Sequence, residues 1–137
     1  MTPRRKARLA AVQALFELDF QDRRSEEVIE DRLAEVNVSA ENKEFARRLV
    51  AGVLHHKEDI DARIAAAAPQ WPLEQIAHVD KNVLRLAIYE LMFEDNSVPA
   101  KVAINEAIEL ARLLGSDTSP KFVNGVLGAV LTVKEVN

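Results

Sequence analysis

The run Asp80-Lys81-Asn82-Val83-Leu84-Arg85-Leu86-Ala87-Ile88-Tyr89-Glu90-Leu91 decides the fold class. Its apolar residues Val83, Leu84, Ala87, Ile88 and Leu91 recur with the three-to-four spacing of a buried helix face, and nothing in it alternates with period two. Asp80, just ahead of the apolar residues, is a candidate N-cap. Toward the C-terminus the same grammar repeats. Pro99 opens a helix whose inward positions are Ile104, Ala107, Ile108 and Ala111, with Gly115 as its stop. Ser119-Pro120 then gives a cap and a proline before Phe122, Val123, Val126, Leu127, Val130 and Leu131.

Toward the N-terminus, Ala68-Pro69-Gln70-Trp71-Pro72 is the one proline-rich stretch. Residues 69–78 are therefore assigned as a linker between residues 1–68 and 79–137 of a single domain. Ser39 caps a helix carrying Phe45, Leu49 and Val53. The pattern continues through Ile60 and Ile64, far enough to predict a break near residues 56–59. Ser25 caps a shorter helix with Glu26 and Glu27 in its first turn, where the helix dipole favours acids, and with Val28, Ile29, Leu33 and Val36 inward. Thr2-Pro3 starts a first helix over residues 3–21 with Leu9, Val12, Phe16 and Phe20 in its stripe. The fold class is all-α, with about seven helices.

Composition sets the outer bounds. A chain of 137 residues and 15.3 kDa buries about two-thirds of its surface on folding, leaving about 7,000 Å² exposed, so a core needs no covalent staples. With no cysteine, disulfide scaffolds, cysteine-ligated zinc, iron–sulfur clusters and cysteine nucleophiles are excluded. The longest uncharged stretches, residues 64–73 and 122–133, fall well short of the ~20 residues a membrane helix needs. Gln13, Glu17 and Asp19 interrupt what would otherwise resemble a secretion signal. A cytoplasmic protein without membrane attachment is expected.

Charge is unevenly placed. Arg4, Arg5, Lys6 and Arg8 stand together without an acid, while the remaining 14 bases face all 22 acids, a balance of −8. A basic tip on an acidic body fits a locally bound anionic partner, and a solubilising tail accounts for the same residues. A membrane-surface helix would extend its bases along the polar face, where this chain has Glu17, Asp19 and Asp22. Four phosphate contacts on single-stranded nucleic acid would give a salt slope of about −3.

Catalytic constellations are missing from the sequence. Gly52, Gly115, Gly125 and Gly128 do not make a phosphate loop, and there is no pair of Glu-x-x-His motifs for a di-iron bundle. His55, Glu58 and Asp59 fall within one turn, too few converging ligands for a metal, and a solvated polar face accounts for them. The carboxylate pairs Glu26/Glu27, Glu58/Asp59 and Glu94/Asp95 are adjacent in sequence and so diverge on a helix. Gly125-x-x-Gly128 matches an RNA-binding loop only superficially, since no strands flank it. No enzyme, cofactor or metal is expected.

Three blocks carry a family resemblance. Val79 to Leu91 is followed by Val102-Ala103-Ile104-Asn105-Glu106-Ala107-Ile108-Glu109-Leu110-Ala111. Then comes Ser119-Pro120-Lys121-Phe122-Val123-Asn124-Gly125-Val126-Leu127. In this order and spacing they resemble the NusB family of bacterial transcription antitermination factors. The basic start followed by Ala11-Val12-Gln13-Ala14-Leu15-Phe16 matches too, as does Trp71 ahead of the Val79 block. Gly128 departs from the pattern, which has an acid there.

The resemblance implies an all-helical, non-enzymatic protein with an N-terminal three-helix half packed on a C-terminal helical half. It implies binding of single-stranded boxA-type RNA together with the small-subunit ribosomal protein NusE. The setting would be an RNA polymerase antitermination complex that reads through terminators in rRNA operons. Carried onto this chain, Arg4, Arg5, Lys6, Arg8, Gln13, Phe16, Lys121 and Asn124 become RNA-binding candidates. Glu74 and Asp80 become candidates for the NusE surface. Several bland readings stand beside these: Phe16 as core, Asn124 as a buried amide between helices, Asp80 as a cap only, and Trp71 as a core plug between the halves. Asn105 and Glu106 are undecided between surface and inter-helix roles, and the free protein is either monomer or homodimer. Two other functions stay open. One is a detached module akin to the RNA-binding part of rRNA cytosine methyltransferases; the other is a protein-only helical adaptor.

Overall fold

The computed structural model describes the backbone of residues 1–94 and 98–136 and the side chains of residues 1–94 and 98–132. Asp95 and Asn137 lie outside the described residues. The helices are α1 (Pro3–Leu18), α2 (Ser25–Leu33), α3 (Ala40–His55), α4 (Lys57–Ala67), α5 (His78–Met92), α6 (Ala100–Leu114) and α7 (Ser119–Val136), with a 3₁₀ turn at Leu73–Gln75 between α4 and α5. No strand occurs among the described residues. The accessible surface is 7495 Å², close to the value expected of a compact chain this size.

Helix starts follow local chemistry. Thr2 caps α1 by accepting the Arg5 N–H, and Ser39 caps α3 by accepting that of Asn42. Three capping expectations are corrected. Ser25 is the first residue of α2, behind Arg24. Asp80 lies in the first turn of α5, which starts two residues earlier, after Ala77. Ser119 opens α7, and its buried Oγ accepts the Ser116 N–H instead. The α3–α4 break falls at His56, whose backbone leaves helical geometry (φ −105°, ψ 15°). Helix α1 stops at Leu18, with Asp19 as its C-cap.

Central to the core is α5, buried almost continuously from Lys81 to Leu91. It packs against α1, α3, α4, α6 and α7. Two glycines allow close approaches. A Cβ on Gly52 would come 2.2 Å from Tyr89 Cζ, so the Tyr89 ring of α5 can lie against α3 as it does because residue 52 has no side chain. At the extended C-cap of α6, a Cβ on Gly115 would come 2.4 Å from Ser119 Oγ. Polar groups are buried in pairs. Asn82 donates to Asp19 and to the His78 carbonyl and accepts from Arg85, which also grips Asp61 with two hydrogen bonds of 2.8 and 3.0 Å. Both amide protons of Asn82 and its carbonyl oxygen are therefore engaged, fixing the end of α1 against α4 and α5.

Candidate nucleic-acid interface

Winding Arg4, Arg5, Lys6 and Arg8 onto α1 sends them in different directions, because successive helical residues turn by about 100°. Arg8 is a correction: it is no free cation. It makes a double hydrogen bond to Glu90 on α5, with side chains only 5% and 1% exposed. Burial pushes the Glu90 carboxyl up, while the Arg8 hydrogen bonds and charge oppose that rise. Arg5 reaches α6, where Nε donates to Glu106 Oε2 at 2.9 Å and holds that carboxyl below its ordinary range. This settles Glu106 as an inter-helix partner, whereas Asn105 is exposed.

Arg4 stays half-exposed, with its guanidinium 4.0 Å from the Phe45 ring centroid and a loose 3.9 Å approach to Glu41. Lys6 forms no ion pair among the described residues. It lines a hollow of ≈ 440 Å³ with Leu9, Gln13 and Val36. Gln13 also borders the next hollow, ≈ 500 Å³, with Phe16, Phe20, Arg32 and Leu114. Lys6, Leu9, Gln13 and Phe16 thus fall in one register, i, i+3, i+7, i+10, along a single face of α1, and Phe20 follows just beyond its end.

Phe16 is 38% and Phe20 60% exposed, so neither is core. Their rings meet at 5.1 Å between centroids, and the His78 ring lies 4.5 Å from that of Phe20. Behind this patch, His78 Nδ1 stands 3.0 Å from Asp19 Oδ2. Burial alone would push the Asp19 carboxyl up, but the hydrogen bonds from His78 and Asn82 and the Arg85 charge outweigh it and hold it below the usual range.

The second half places its candidates elsewhere. Lys121 and Asn124 are both exposed on the first turns of α7, so Asn124 is not a buried amide between helices. Trp71 is not a core plug: it is 53% exposed and stands edge-on to Phe122 at 6.4 Å. Its flanking prolines keep the loop outside the helical layers, and Ile76 is what the linker buries instead. Glu74 is exposed on the 3₁₀ turn and Asp80 half-buried nearby on α5. Phe20, His78, Trp71 and Phe122 were not singled out as binding residues from sequence. The one available signal, that Phe20 keeps the register of Lys6 and Gln13, is hidden because the register of exposed residues abuts the apolar stripe. Asp59 pairs with Arg63, and no group of three metal-ligating side chains occurs among the described residues. No described helix is long and apolar enough to cross a membrane.

A helical protein whose exposed chemistry is a basic helix start, a polar-aromatic helix face and a second basic helix start is a binding protein for extended anionic or aromatic partners. Comparison with known proteins makes this specific. The sequence model of the NusB family matches residues 5–132, and the chain belongs to that family. It is 49% identical over 130 residues to the transcription antitermination protein NusB of Chloroflexus aggregans, covering 94% of this chain and 87% of that one. Its structure superposes on T. maritima NusB with a TM-score of 0.88 at 42% identity, covering 96% and 92% of the two chains. It also superposes on a crystal structure of antitermination factors NusB and NusE in complex with double-stranded RNA, with a TM-score of 0.86 at 27% identity, covering 97% and 98%.

Proposed function

We propose that this chain is an RNA-binding transcription antitermination factor that acts with NusE on single-stranded boxA-type RNA in rRNA operons, by binding and without catalysis, in the cytoplasm. The observation that carries the RNA assignment is the single α1 register from Lys6 through Gln13 to Phe16. It spans about 15 Å along the helix axis and offers a phosphate contact, an amide and a ring in sequence. Exposed rings favour unstacked bases, hence single strands over duplex. Arg4 flanks this track, and Lys121 with Asn124 supplies a second basic site at the start of α7, where the helix dipole also favours phosphate. Arg5 and Arg8 are assigned to holding α1 in place.

NusE is seated on the aromatic patch of Phe16, Phe20 and His78, with Glu74 and Asp80 as its acidic edge, since exposed rings rimmed by charge are the anchors of protein interfaces. Phe16 stands at the seam of the two surfaces. The test is a titration with a short boxA-type RNA and a scrambled control, with and without NusE, at two salt concentrations. Sequence-dependent tightening with NusE is expected. No discrimination in NusE's presence would overturn the reading in favour of a protein-only adaptor.

A further inference from the structure

His78 opens α5 and faces two different surroundings. On one side its Nδ1 lies 3.0 Å from Asp19 Oδ2. On the other its ring lies 4.5 Å from that of Phe20 and 6.5 Å, edge-on, from that of Phe16. The Asp19 side chain is 9% exposed. It also accepts from Asn82 at 2.7 Å and from Arg85 at 3.1 Å, and its carboxyl is held below the usual range. Asp19 is therefore ionised and only accepts, so the proton between the two groups sits on His78 Nδ1. A neutral imidazole protonated there keeps a bare lone pair on Nε2. That nitrogen has no hydrogen-bond partner among the described residues, and the His78 side chain is 39% exposed. Its orientation is fixed as well. Asn82 bonds both Asp19 and the His78 carbonyl, and Arg85 ties Asp19 to Asp61 of α4, so the ring cannot turn over without giving up the Asp19 bond.

We infer that His78 Nε2 is a preset hydrogen-bond acceptor in the NusE-facing patch and selects a partner surface that presents an N–H or O–H donor at that point. A carboxylate or carbonyl there would set lone pair against lone pair, so the residue acts by rejection as well as by attraction. Phe16 and Phe20 beside it would exclude water once a partner is seated, which strengthens the bond. Exposed Glu74, on the turn just ahead of α5, favours the same class of partner, because it attracts cationic donors and repels phosphate. The inference rests on the NusE reading above and adds to it the chemistry of one partner group.

Two substitutions separate the two ring nitrogens. His78→Asn puts an amide N–H where Nδ1 was and nothing where Nε2 was. His78→Gln brings an amide oxygen to the Nε2 position and gives up the Asp19 bond. The full chain and both variants are titrated with NusE, and urea unfolding is run alongside. His78→Asn should bind NusE about tenfold more weakly than the parent, yet unfold at a higher urea concentration than His78→Gln. His78→Gln, the less stable variant, should bind within about threefold of the parent. A merely structural role would move affinity and stability in the same order. On the parent chain, long-range proton–nitrogen NMR in mildly alkaline solution reads the tautomer directly, with the His78 signals assigned by their loss in His78→Gln. Nε2 should resonate as an unprotonated nitrogen and shift when NusE is added. A protonated Nε2, or equal affinities of the two variants, overturns the inference and leaves the NusE reading standing. An Nε2 signal that moves with boxA-type RNA but not with NusE overturns it and assigns the ring to the nucleic acid. No binding of NusE by the parent chain removes the NusE reading as well.

Discussion

Replacing Arg8 separates scaffold from interface. Its partner Glu90 is almost fully enclosed, and its guanidinium lies 5.1 Å from the Phe45 ring centroid. Arg8→Ala therefore strands a carboxyl that can neither reach water nor find a cation. Losing one member of such a pair costs about 3–5 kcal/mol, a large share of the ~5–15 kcal/mol that holds a domain together. With an unfolding entropy of about 2.1 cal/mol/K per residue, this chain has ~0.29 kcal/mol/K, so the Tm should fall by about 10–17 °C. Urea unfolding should show the midpoint moving with the slope unchanged. The double variant Arg8→Met with Glu90→Leu removes both charges and keeps the volume, and should return to within about 1 kcal/mol of the parent or exceed it. At a temperature where Arg8→Ala is folded, its RNA affinity should equal the parent's. An Arg8→Ala protein of parental stability that has lost RNA affinity would refute the reasoning and restore Arg8 to the interface.

Other outcomes follow from the same geometry. Gly52→Ala forces Tyr89 aside and should destabilise by about 1–3 kcal/mol, with much of the loss recovered in a Gly52→Ala/Tyr89→Leu background; paired urea curves measure both. Gly128→Ala meets open space on an exposed helix face and should stabilise by about 0.5–1 kcal/mol, read as a higher midpoint. Asp19 is held below its ordinary value, so its contribution is complete above the unfolded pKa near 3.8 and is lost as pH falls through the folded value. Asp19→Asn should therefore flatten the acid limb of a stability–pH curve below about pH 4. Glu90, pushed up by burial, contributes with the opposite sign, so the comparison is made with Glu90 retained.

Helix order, breaks and core positions were legible because apolar periodicity and caps are local. The break at His56 and the start of α6 after Pro99 need no knowledge of distant residues. Starts read from a side chain alone slipped where the helix begins behind a residue that makes no side-chain cap bond: Ala77, not Asp80, precedes α5, and Arg24, not Ser25, precedes α2. The exposure of the candidate binding residues was legible only where local position decides it, as with Lys121 at the start of α7. Arg8 and Lys6 look alike in sequence, and what separates them is Glu90, 82 positions away in the chain and 2.9 Å away in space. Trp71 misled for a related reason: a lone tryptophan between prolines packs when a neighbouring layer covers it, and here the buried linker residue is Ile76.

That sorting of the basic cluster changes what the interface can do alone. With Arg8 buried and Arg5 paired to Glu106, the cations left to the proposed interface are Lys6, the loosely paired Arg4 and, at the second site, Lys121. Three phosphate contacts give a salt slope of about −2 on a single strand, where four would give about −3. Between 50 and 200 mM salt, affinity should then fall about 20-fold, against about 50-fold for four contacts. The whole chain carries net −4 and the body without its basic tip −8, so long-range attraction adds little and the isolated chain should bind RNA weakly. Specific binding then requires stacking plus cations from the ribosomal-protein partner, whose basic surface suits the acidic edge at Glu74 and Asp80. The slope for the complex with NusE should therefore be steeper than for the chain alone. Equal slopes would mean that the partner contributes no phosphate contact, and the composite RNA surface would have to be abandoned.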